Sequence, residues 1–129
     1  MAGKSKLKDA WAIFEKTEVM HLITGDAKNF HCRPMWGILS GNTIYAATSR
    51  KSRKVSQIKS SGRAAFYVYD PKTQNYACIS GTAELGVERK WRLKVWHKPM
   101  QDYFPGGVDD KDLIYIKLKV EKVDYVSWT

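Results

Sequence analysis

The stretch Thr43-Ile-Tyr-Ala-Ala-Thr-Ser-Arg-Lys-Ser-Arg-Lys-Val-Ser-Gln-Ile58 joins a strand-like run to a helix-like run. β-Branched and aromatic residues at 43–48 are typical of a strand, whereas Val55 and Ile58 have the three-residue spacing of the buried side of a helix. Four cations lie in the connecting turn and the first helical turn. Because a helix N-terminus presents unpaired N–H groups and the positive end of the helix dipole, cations there favour a phosphate dianion. The stretch therefore predicts a strand-to-helix turn that binds phosphate.

The rest of the chain favours an antiparallel β-barrel with short helices. The residue pattern predicts helices at 6–16, 51–60 and 88–98, and strands at 18–24, 30–39, 43–49, 63–70, 76–85, 113–120 and 123–126, the last two as an antiparallel pair. The first helix carries Leu7, Trp11 and Phe14 on one face and is expected to cap one end of the barrel. Tight turns and only three helices favour a barrel over a sandwich, so the predicted fold class is mainly β.

Length and composition predict one domain spanning residues 1–129. A chain of 129 residues can bury one proper core but is too short for two ordinary domains. Hydrophobic residues make up 43% and charged residues 27%, and no apolar run approaches the roughly 20 residues that a membrane-spanning helix needs. The basic start at 1–8 lacks the apolar core of a signal peptide, so we expect a cytoplasmic protein with no membrane partner.

Cysteine and histidine usage indicates no disulfide scaffold, no metal site and no catalytic triad. Cys32 and Cys78 are far apart in sequence and have no neighbours at metal-ligand spacing, so we expect two buried, reduced thiols. His21, His31 and His97 are dispersed through the chain. None of the three is therefore assigned a catalytic or metal-binding role.

The net charge of +9 limits the function without selecting it. It comes from 22 Lys and Arg against 13 Asp and Glu, and it fits a nucleic acid, an anionic small ligand or solubility alone. Cations cluster at 4–8, 50–54 and 89–98. Only the cluster at 50–54 combines cations with a hydroxyl at a predicted strand-to-helix turn, a feature that binds phosphate.

Five short motifs occur in order along the chain: Arg33-Pro-Met-Trp36, Tyr45-Ala-Ala-Thr48, Ser52-Arg-Lys-Val-Ser-Gln-Ile58, Ser80-Gly-Thr-Ala-Glu84 and Phe104-Pro-Gly-Gly107. In this order they resemble the pyridoxamine 5′-phosphate oxidase-like, FMN-binding split barrels, and most closely their general stress protein branch. The resemblance extends from about Trp11 to Tyr125. It implies a six- to seven-stranded antiparallel split β-barrel that forms a homodimer, with an FMN in each of two clefts at the interface.

The resemblance also implies a set of cofactor-binding residues. The implied phosphate ligands are Arg33, Thr48, Ser52, Arg53 and Lys54, and the chemistry agrees, since Arg forks onto two phosphate oxygens, Lys supplies a point charge and Thr a hydroxyl donor. A hairpin pairing of 33–36 with 45–48 is expected to bring Arg33 to the turn. Residues without a matching role, Arg50 and Lys51, are expected to be exposed, and Trp91 is expected in the core. The residues implied around the flavin ring are Met35, Trp36, Ala47, Tyr76 and Trp96.

The function implied is an FMN-binding oxidoreductase of unknown substrate, with a nicotinamide donor or a small-molecule acceptor and no residue acting as acid or base. Oxidases of pyridoxamine phosphate carry a flavin-contacting Gln where this chain has Tyr76, and their substrate-binding Arg and His segment has no counterpart. Vitamin B6 oxidation is therefore not expected. The alternatives are a non-catalytic flavin-binding stress protein, a deazaflavin-binding relative, or a basic nucleic-acid-binding barrel, for which the strands carry no common RNA-binding signature.

Overall fold

A computed structural model of the chain describes residues 2–25 and 28–128, with side chains from residue 6 onward. The described part contains seven strands, three α-helices and two short 3-10 helices. In chain order these are α1 (Ala2–Thr17), β1 (Met20–Gly25), β2 (Phe30–Met35), β3 (Gly37–Ser40), β4 (Thr43–Ser49), α2 (Arg53–Ser61), β5 (Arg63–Tyr69), β6 (Tyr76–Gly86), α3 (Arg89–Val95), the 3-10 helices Lys98–Asp102 and Gly107–Asp109, and β7 (Leu113–Val126).

The strands form one antiparallel sheet in the order β2-β1-β5-β6-β7-β4-β3. The two edge strands, β2 and β3, follow each other in sequence with only Trp36 between them. Because one residue spans only a few ångströms, the sheet must curl until its edges approach each other. We call the gap between β2 and β3 the split. The predicted mainly β, seven-stranded split barrel is confirmed.

The core lies inside the curled sheet, where alternate residues of each strand point inward. Phe66 and Ile79 are fully buried there. Helix α1 packs against β5, β6 and β7 and buries Trp11 and Phe14, whose ring centroids lie 4.6 Å apart, so the predicted apolar face of this helix is confirmed. The other fully buried large side chains of the strands are Met20, Leu22, Ile44, Val68, Leu113, Ile116 and Leu118.

An ion pair fixes the end of α1 to the turn between β5 and β6. The Lys16 Nζ lies 2.7 Å from Asp70 Oδ2, and the Asp70 side chain is 3% exposed. The hydrogen bond from Lys16, followed by that from the Lys72 backbone N–H, lowers the pKa of Asp70 to about 2. Asp70 is therefore ionised in the folded protein at neutral pH.

Helix α2 begins two residues later and ends one residue later than the predicted helix 51–60. Its buried residues are Val55, Gln57 and Ile58. Gly62 adopts the left-handed conformation at φ 68°, and its N–H donates to the Ile58 carbonyl at 2.8 Å. Glycine suits this position because it alone enters that region without steric cost.

Helix α3 builds a second apolar cluster outside the barrel. Trp91 stacks on Tyr45 with a centroid distance of 3.7 Å and an interplanar angle of 8°, and Val95 is fully buried beside them. Trp91 is therefore half-buried against this outer cluster and does not lie in the main core where it was expected. Leu93 is 48% exposed, because the helix ends at Val95 and turns only two of its apolar residues towards the sheet.

The prediction of one strand over residues 30–39 and the prediction of its pairing are both wrong. The predicted strand 30–39 is two strands on opposite edges of the sheet, and the expected pairing of 33–36 with 45–48 does not form: Arg33 lies opposite Leu22 of β1, and Gly37 lies opposite Ala46. A Cβ at position 37 would lie 2.6 Å from the Tyr45 carbonyl oxygen, so glycine permits the close approach that starts β3.

The predicted pair 113–120 and 123–126 is instead one strand, β7, with a bulge opposite Ser80 and Gly81. A Cβ at Gly81 would overlap the Lys119 carbonyl, so the glycine allows β6 and β7 to continue past the irregularity. The bulge changes the phase of the apolar pattern, which explains why the sequence resembled two strands.

Both cysteines are free, but the prediction that they are buried is wrong. Cys32 is exposed and Cys78 is half-buried, because both side chains point to the outer face of the sheet. Within residues 2–25 and 28–128, no helix combines the length and the apolar composition needed to cross a membrane.

Candidate functional site

Strand β2 and helix α2 bring together three cations, Arg33, Arg53 and Lys54, which we call the cation cluster. Arg33 shares the inner face of the sheet with its cross-strand partner, the fully buried Leu22. Burial lowers the pKa of Lys54, and the charge of Arg33 lowers it further. Burial also lowers the pKa of Arg33, and the charge of Arg53 lowers it further. The cations are thus close enough to repel one another.

Two hydroxyls lie beside the cluster. Lys54 Nζ donates to Thr48 Oγ1 at 3.0 Å and to Ser52 Oγ at 3.4 Å, and the two hydroxyl oxygens are 3.3 Å apart. Ser52 occupies the N-cap of α2, yet its side chain does not cap the helix, and the first turn carries no acidic residue. The N-terminus of α2 therefore keeps its positive character for an anion.

A buried hydrogen-bond chain holds Arg33 from the other side. Arg33 Nη1 donates to Thr24 Oγ1 at 2.8 Å, and the Thr24 hydroxyl donates to Gln57 Oε1 on α2. Thr24 and Gln57 are 2% and 5% exposed. Both partners are neutral, so the chain orients the guanidinium and leaves its charge in place.

No carboxylate in the described ranges forms an ion pair with a member of the cation cluster, although other cations of the chain have such partners. Arg50 and Lys51 are both exposed, as predicted. The Lys51 Nζ lies 3.7 Å from Asp112 Oδ2, so this cation, unlike its neighbours in the cluster, has a carboxylate partner among the described residues. Arg33 and Lys54 are half-buried, whereas Arg53 is exposed. Half-buried cations without a counter-charge are unfavourable unless an anion binds. Two guanidiniums, one ammonium and two hydroxyls form a donor set that fits a phosphate dianion.

A cleft of about 570 Å³ opens beside the cluster and is lined by Met35, Trp36, Ala47, Thr48 and Lys54. This volume falls within the range of small-molecule sites. The structure thus brings together residues predicted for the phosphate and residues predicted for the ring. The remaining walls come from 18–19, from Pro34 and Ser49, and from 97–104 with its apolar side chains Met100 and Phe104.

His97 belongs to this cleft although the sequence gave it no role. Its ring lies 4.3 Å from the ring of Trp36 at an interplanar angle of 32°, and both residues line the cleft. Thr24 and Gln57 were also missed. The available signal for Gln57 was its place between Val55 and Ile58, where a polar residue interrupts the apolar side of a helix.

Five of the ten predicted residues do not line the cleft: Arg33, Ser52 and Arg53 belong to the cation cluster or adjoin it, whereas Tyr76 and Trp96 lie elsewhere. Tyr76 lies on the outer face of β6, opposite Tyr69, with its ring centroid 6.0 Å from that of Tyr67. Trp96 packs behind the cleft against the cluster of Met100, Phe104 and Leu113. In this chain, neither the Tyr76 nor the Trp96 side chain forms part of the cleft wall.

Size alone does not identify the site. A larger cavity of about 840 Å³ lies between α1 and the turn joining β3 to β4, with Leu7, Trp11 and Val120 among its walls. It contains none of the predicted site residues. Among the residues described, no group of three His, Cys, Asp or Glu side chains could hold a metal ion.

Comparison with known proteins agrees with this architecture. General stress protein 26 of Bacillus subtilis (strain 168) is 24% identical over 123 residues, which is 93% of this chain and 85% of the relative. The structure of General Stress Protein 26 from Bacillus anthracis str. Sterne is similar with a TM-score of 0.82 at 18% identity, covering 92% of each chain. The general stress FMN/FAD binding protein from Xanthomonas citri gives a TM-score of 0.80 at 18% identity, covering 96% of this chain and 89% of that one.

These structural likenesses concern the fold, while the family follows from the sequence. The family model described as "Pyridoxamine 5'-phosphate oxidase like" matches residues 5–129. This match spans nearly the whole chain and includes every residue of the cation cluster. The chain therefore belongs to the pyridoxamine 5′-phosphate oxidase-like family.

Proposed function

We propose that this protein is an FMN-binding flavoprotein and an oxidoreductase, built as a single domain over residues 1–129 that acts in the cytoplasm as a homodimer. The observation that carries the proposal is the cation cluster, which has no described carboxylate partner and lies beside a cleft of suitable size. The FMN/FAD binding named for the Xanthomonas citri relative supports a flavin-type ligand.

In this proposal the phosphate binds to the cation cluster. Arg33 and Arg53 offer forked N–H donors, Lys54 offers an ammonium, and the hydroxyls of Thr48 and Ser52 complete the set. Lys54 already touches both hydroxyls, so the side chains from β4 and α2 are arranged before a ligand arrives. Such preorganisation lowers the entropic cost of binding.

The ring would lie along the cleft against Met35, Trp36 and Ala47, with His97 fixed behind Trp36 by their ring contact. Bound FMN supplies hydride or electron exchange, with a nicotinamide or another small molecule as donor or acceptor. The protein's own residues bind the phosphate, orient the ring and exclude water from one side of it. No protein side chain needs to move a proton for this chemistry.

The homodimer is proposed because the cleft of one protomer is open and because two of the assigned residues belong neither to the cleft wall nor to the cation cluster. Tyr76 on the outer face of β6 and Trp96 behind the cleft remain assigned to the flavin site, with a second subunit closing it. The outer face also carries Tyr69, which is 42% exposed. Sedimentation analysis with and without FMN tests this part of the proposal, and a monomer that binds FMN fully would contradict it.

The central experiment compares FMN with riboflavin, which differs only in the phosphate. The purified wild-type protein should show flavin absorbance or quench FMN fluorescence on reconstitution. Replacing both residues, Arg53→Ala with Lys54→Ala, should weaken FMN at least about tenfold and leave riboflavin nearly unchanged, because charge-assisted bonds to phosphate contribute roughly 1.5–3 kcal/mol each. An equal loss of affinity for FMN and for riboflavin would contradict the assignment of Arg53 and Lys54 to the phosphate.

The alternatives give different results in the same preparation. Turnover of NADH or NADPH with a small acceptor indicates an oxidoreductase, and tight FMN binding without turnover indicates a flavin carrier or sensor. A copurified ligand with deazaflavin absorbance indicates a deazaflavin-binding protein. Salt-sensitive binding of single-stranded nucleic acid without flavin binding would favour the basic barrel instead.

A further inference from the structure

Two buried residues outside the ligand set, Thr24 and Gln57, form a fixed hydrogen-bond chain to Arg33. The chain crosses three elements: Arg33 is on β2, Thr24 on β1 and Gln57 on α2. Thr24 and Gln57 are 33 residues apart in sequence, so only the folded barrel joins them. Their burial means that breaking one bond leaves a polar group unsatisfied.

The direction of the hydrogen bonds gives the chain a single arrangement. The hydroxyl proton of Thr24 goes to the Gln57 carbonyl oxygen, so an oxygen lone pair of Thr24 faces Arg33 and accepts its Nη1–H. An arginine has five N–H donors, and this bond uses one of them. The guanidinium is therefore held in orientation while other donors are left for a ligand.

Helix α2 connects this chain to the rest of the cluster. Gln57 lies three residues after Lys54, so both side chains lie on neighbouring positions of the same helix surface. One helix thus positions Lys54 directly and Arg33 through Gln57 and Thr24. Movement of α2 would displace both sides of the phosphate site together.

Residue 57, the last member of the hydrogen-bond chain, is a glutamine and carries no charge. Arg33 is half-buried, and an arginine withdrawn from water is commonly held by a carboxylate, which neutralises it. Here the terminal acceptor is an amide, and no described carboxylate pairs with Arg33. An amide orients the guanidinium through Thr24 without removing the positive charge that a phosphate would meet.

We propose that Gln57 and Thr24 are positioning residues that hold Arg33 in place without neutralising it, and thereby set the preference of the site for a dianionic phosphate. This inference rests on the proposed function, because it assigns the selectivity of the same site. Neither residue touches the ligand. Both act through Arg33.

The test is Gln57→Glu, which keeps the size and the acceptor atom but adds a negative charge. Its matched control is Ser60→Glu, which adds the same charge at an exposed position of α2. Dissociation constants for FMN and riboflavin are measured for both variants. Gln57→Glu should weaken FMN about tenfold or more and leave riboflavin nearly unchanged, and the salt dependence of FMN binding should become shallower. Ser60→Glu should bind both ligands nearly as the wild type does.

A second pair of variants tests the relay independently of charge. Thr24→Val removes the hydroxyl at nearly constant shape and should lower FMN affinity selectively, whereas Thr24→Ser keeps the hydroxyl and should restore it. If Gln57→Glu binds FMN as tightly as wild type, or if Gln57→Glu and Thr24→Val each weaken FMN and riboflavin equally, the inference is wrong.

Failure of the proposed function gives a separate result. If wild type shows no preference for FMN over riboflavin, thermal stabilisation by inorganic phosphate, against chloride of equal ionic strength, replaces the flavin titration. Stabilisation that Gln57→Glu abolishes and Ser60→Glu retains supports the positioning role without FMN. Equal stabilisation of wild type and Gln57→Glu, or no stabilisation of the wild type, overturns it.

Discussion

Replacing Lys54 by Met should separate ligand affinity from the stability of the ligand-free protein. Met keeps the aliphatic stem but removes the ammonium that contacts Thr48 and Ser52. The lost charge-assisted phosphate bond contributes about 1.5–3 kcal/mol, so FMN should bind roughly 10- to 150-fold more weakly. Riboflavin affinity should change little. The matched control Lys51→Met removes a neighbouring exposed cation and should have a much smaller effect.

The ligand-free variant should be at least as stable as the wild type. Burial and the Arg33 charge lower the pKa of Lys54 below its ordinary value of 10.5, so folding disfavours the ammonium. In the interval below pH 10.5, the unfolded wild-type chain binds a proton more readily than the folded protein, and wild-type stability therefore rises with pH there. Lys54→Met should lack this rise.

Thermal melts with and without FMN measure both effects. At an FMN concentration about 100 times the wild-type Kd, the wild type gains about 2.7 kcal/mol, whereas a variant that binds about 30-fold more weakly gains only about 0.9 kcal/mol. Without FMN the variant should therefore melt at or above the temperature of the wild type, and with FMN the wild type should melt at the higher temperature. If ligand-free Lys54→Met melts well below the wild type, the prediction of unchanged or higher stability is wrong, because Lys54 would then be a structural residue.

Two further predictions concern the frame around the site. Trp91→Ala should lower the free energy of unfolding in urea by about 2 kcal/mol, since it removes the stacked contact with Tyr45; an unchanged midpoint would show that α3 contributes little packing. Wild type should lose stability as the pH falls from 3.8 towards about 2, where Asp70 protonates and releases Lys16. Asp70→Asn should lack this part of the acid dependence in melting temperatures measured across that range, and an identical pH profile would contradict the ion pair's role.

Local features of this fold could be predicted from the sequence, whereas strand partners could not. The turn from β4 into α2 follows from side-chain spacing and from the terminating Gly62, both of which are local. The break at Trp36 lies inside a run whose composition suits one continuous strand. Which strand Arg33 pairs with depends on the curl of the whole sheet, and no local pattern records that.

Because contacts between distant strands leave no local pattern, only some residues of the candidate site could be predicted from the sequence. Types of residue that suit phosphate could be named, because cations and hydroxyls at a helix N-terminus have a local chemical meaning. Thr24 and Gln57 could not, since each is an ordinary polar residue until the barrel places them in contact. His97 likewise gains its position only when the segment after α3 returns to Trp36.

The missed break and the candidate site have one physical origin. Arg33 lies on β2 at one edge of the sheet, and Thr48 lies on β4 next to the other edge, so a flat sheet would hold them several strands apart. Curling closes that distance, and Lys54 then contacts Thr48 while sensing the charge of Arg33. Trp36, the one residue between the edge strands, lines the cleft itself. A fully closed barrel would pair β2 with β3 and fill this position with backbone hydrogen bonds. In the proposed site, the split therefore leaves the space in which Arg33 of β2, Thr48 of β4 and the two cations of α2 meet one phosphate.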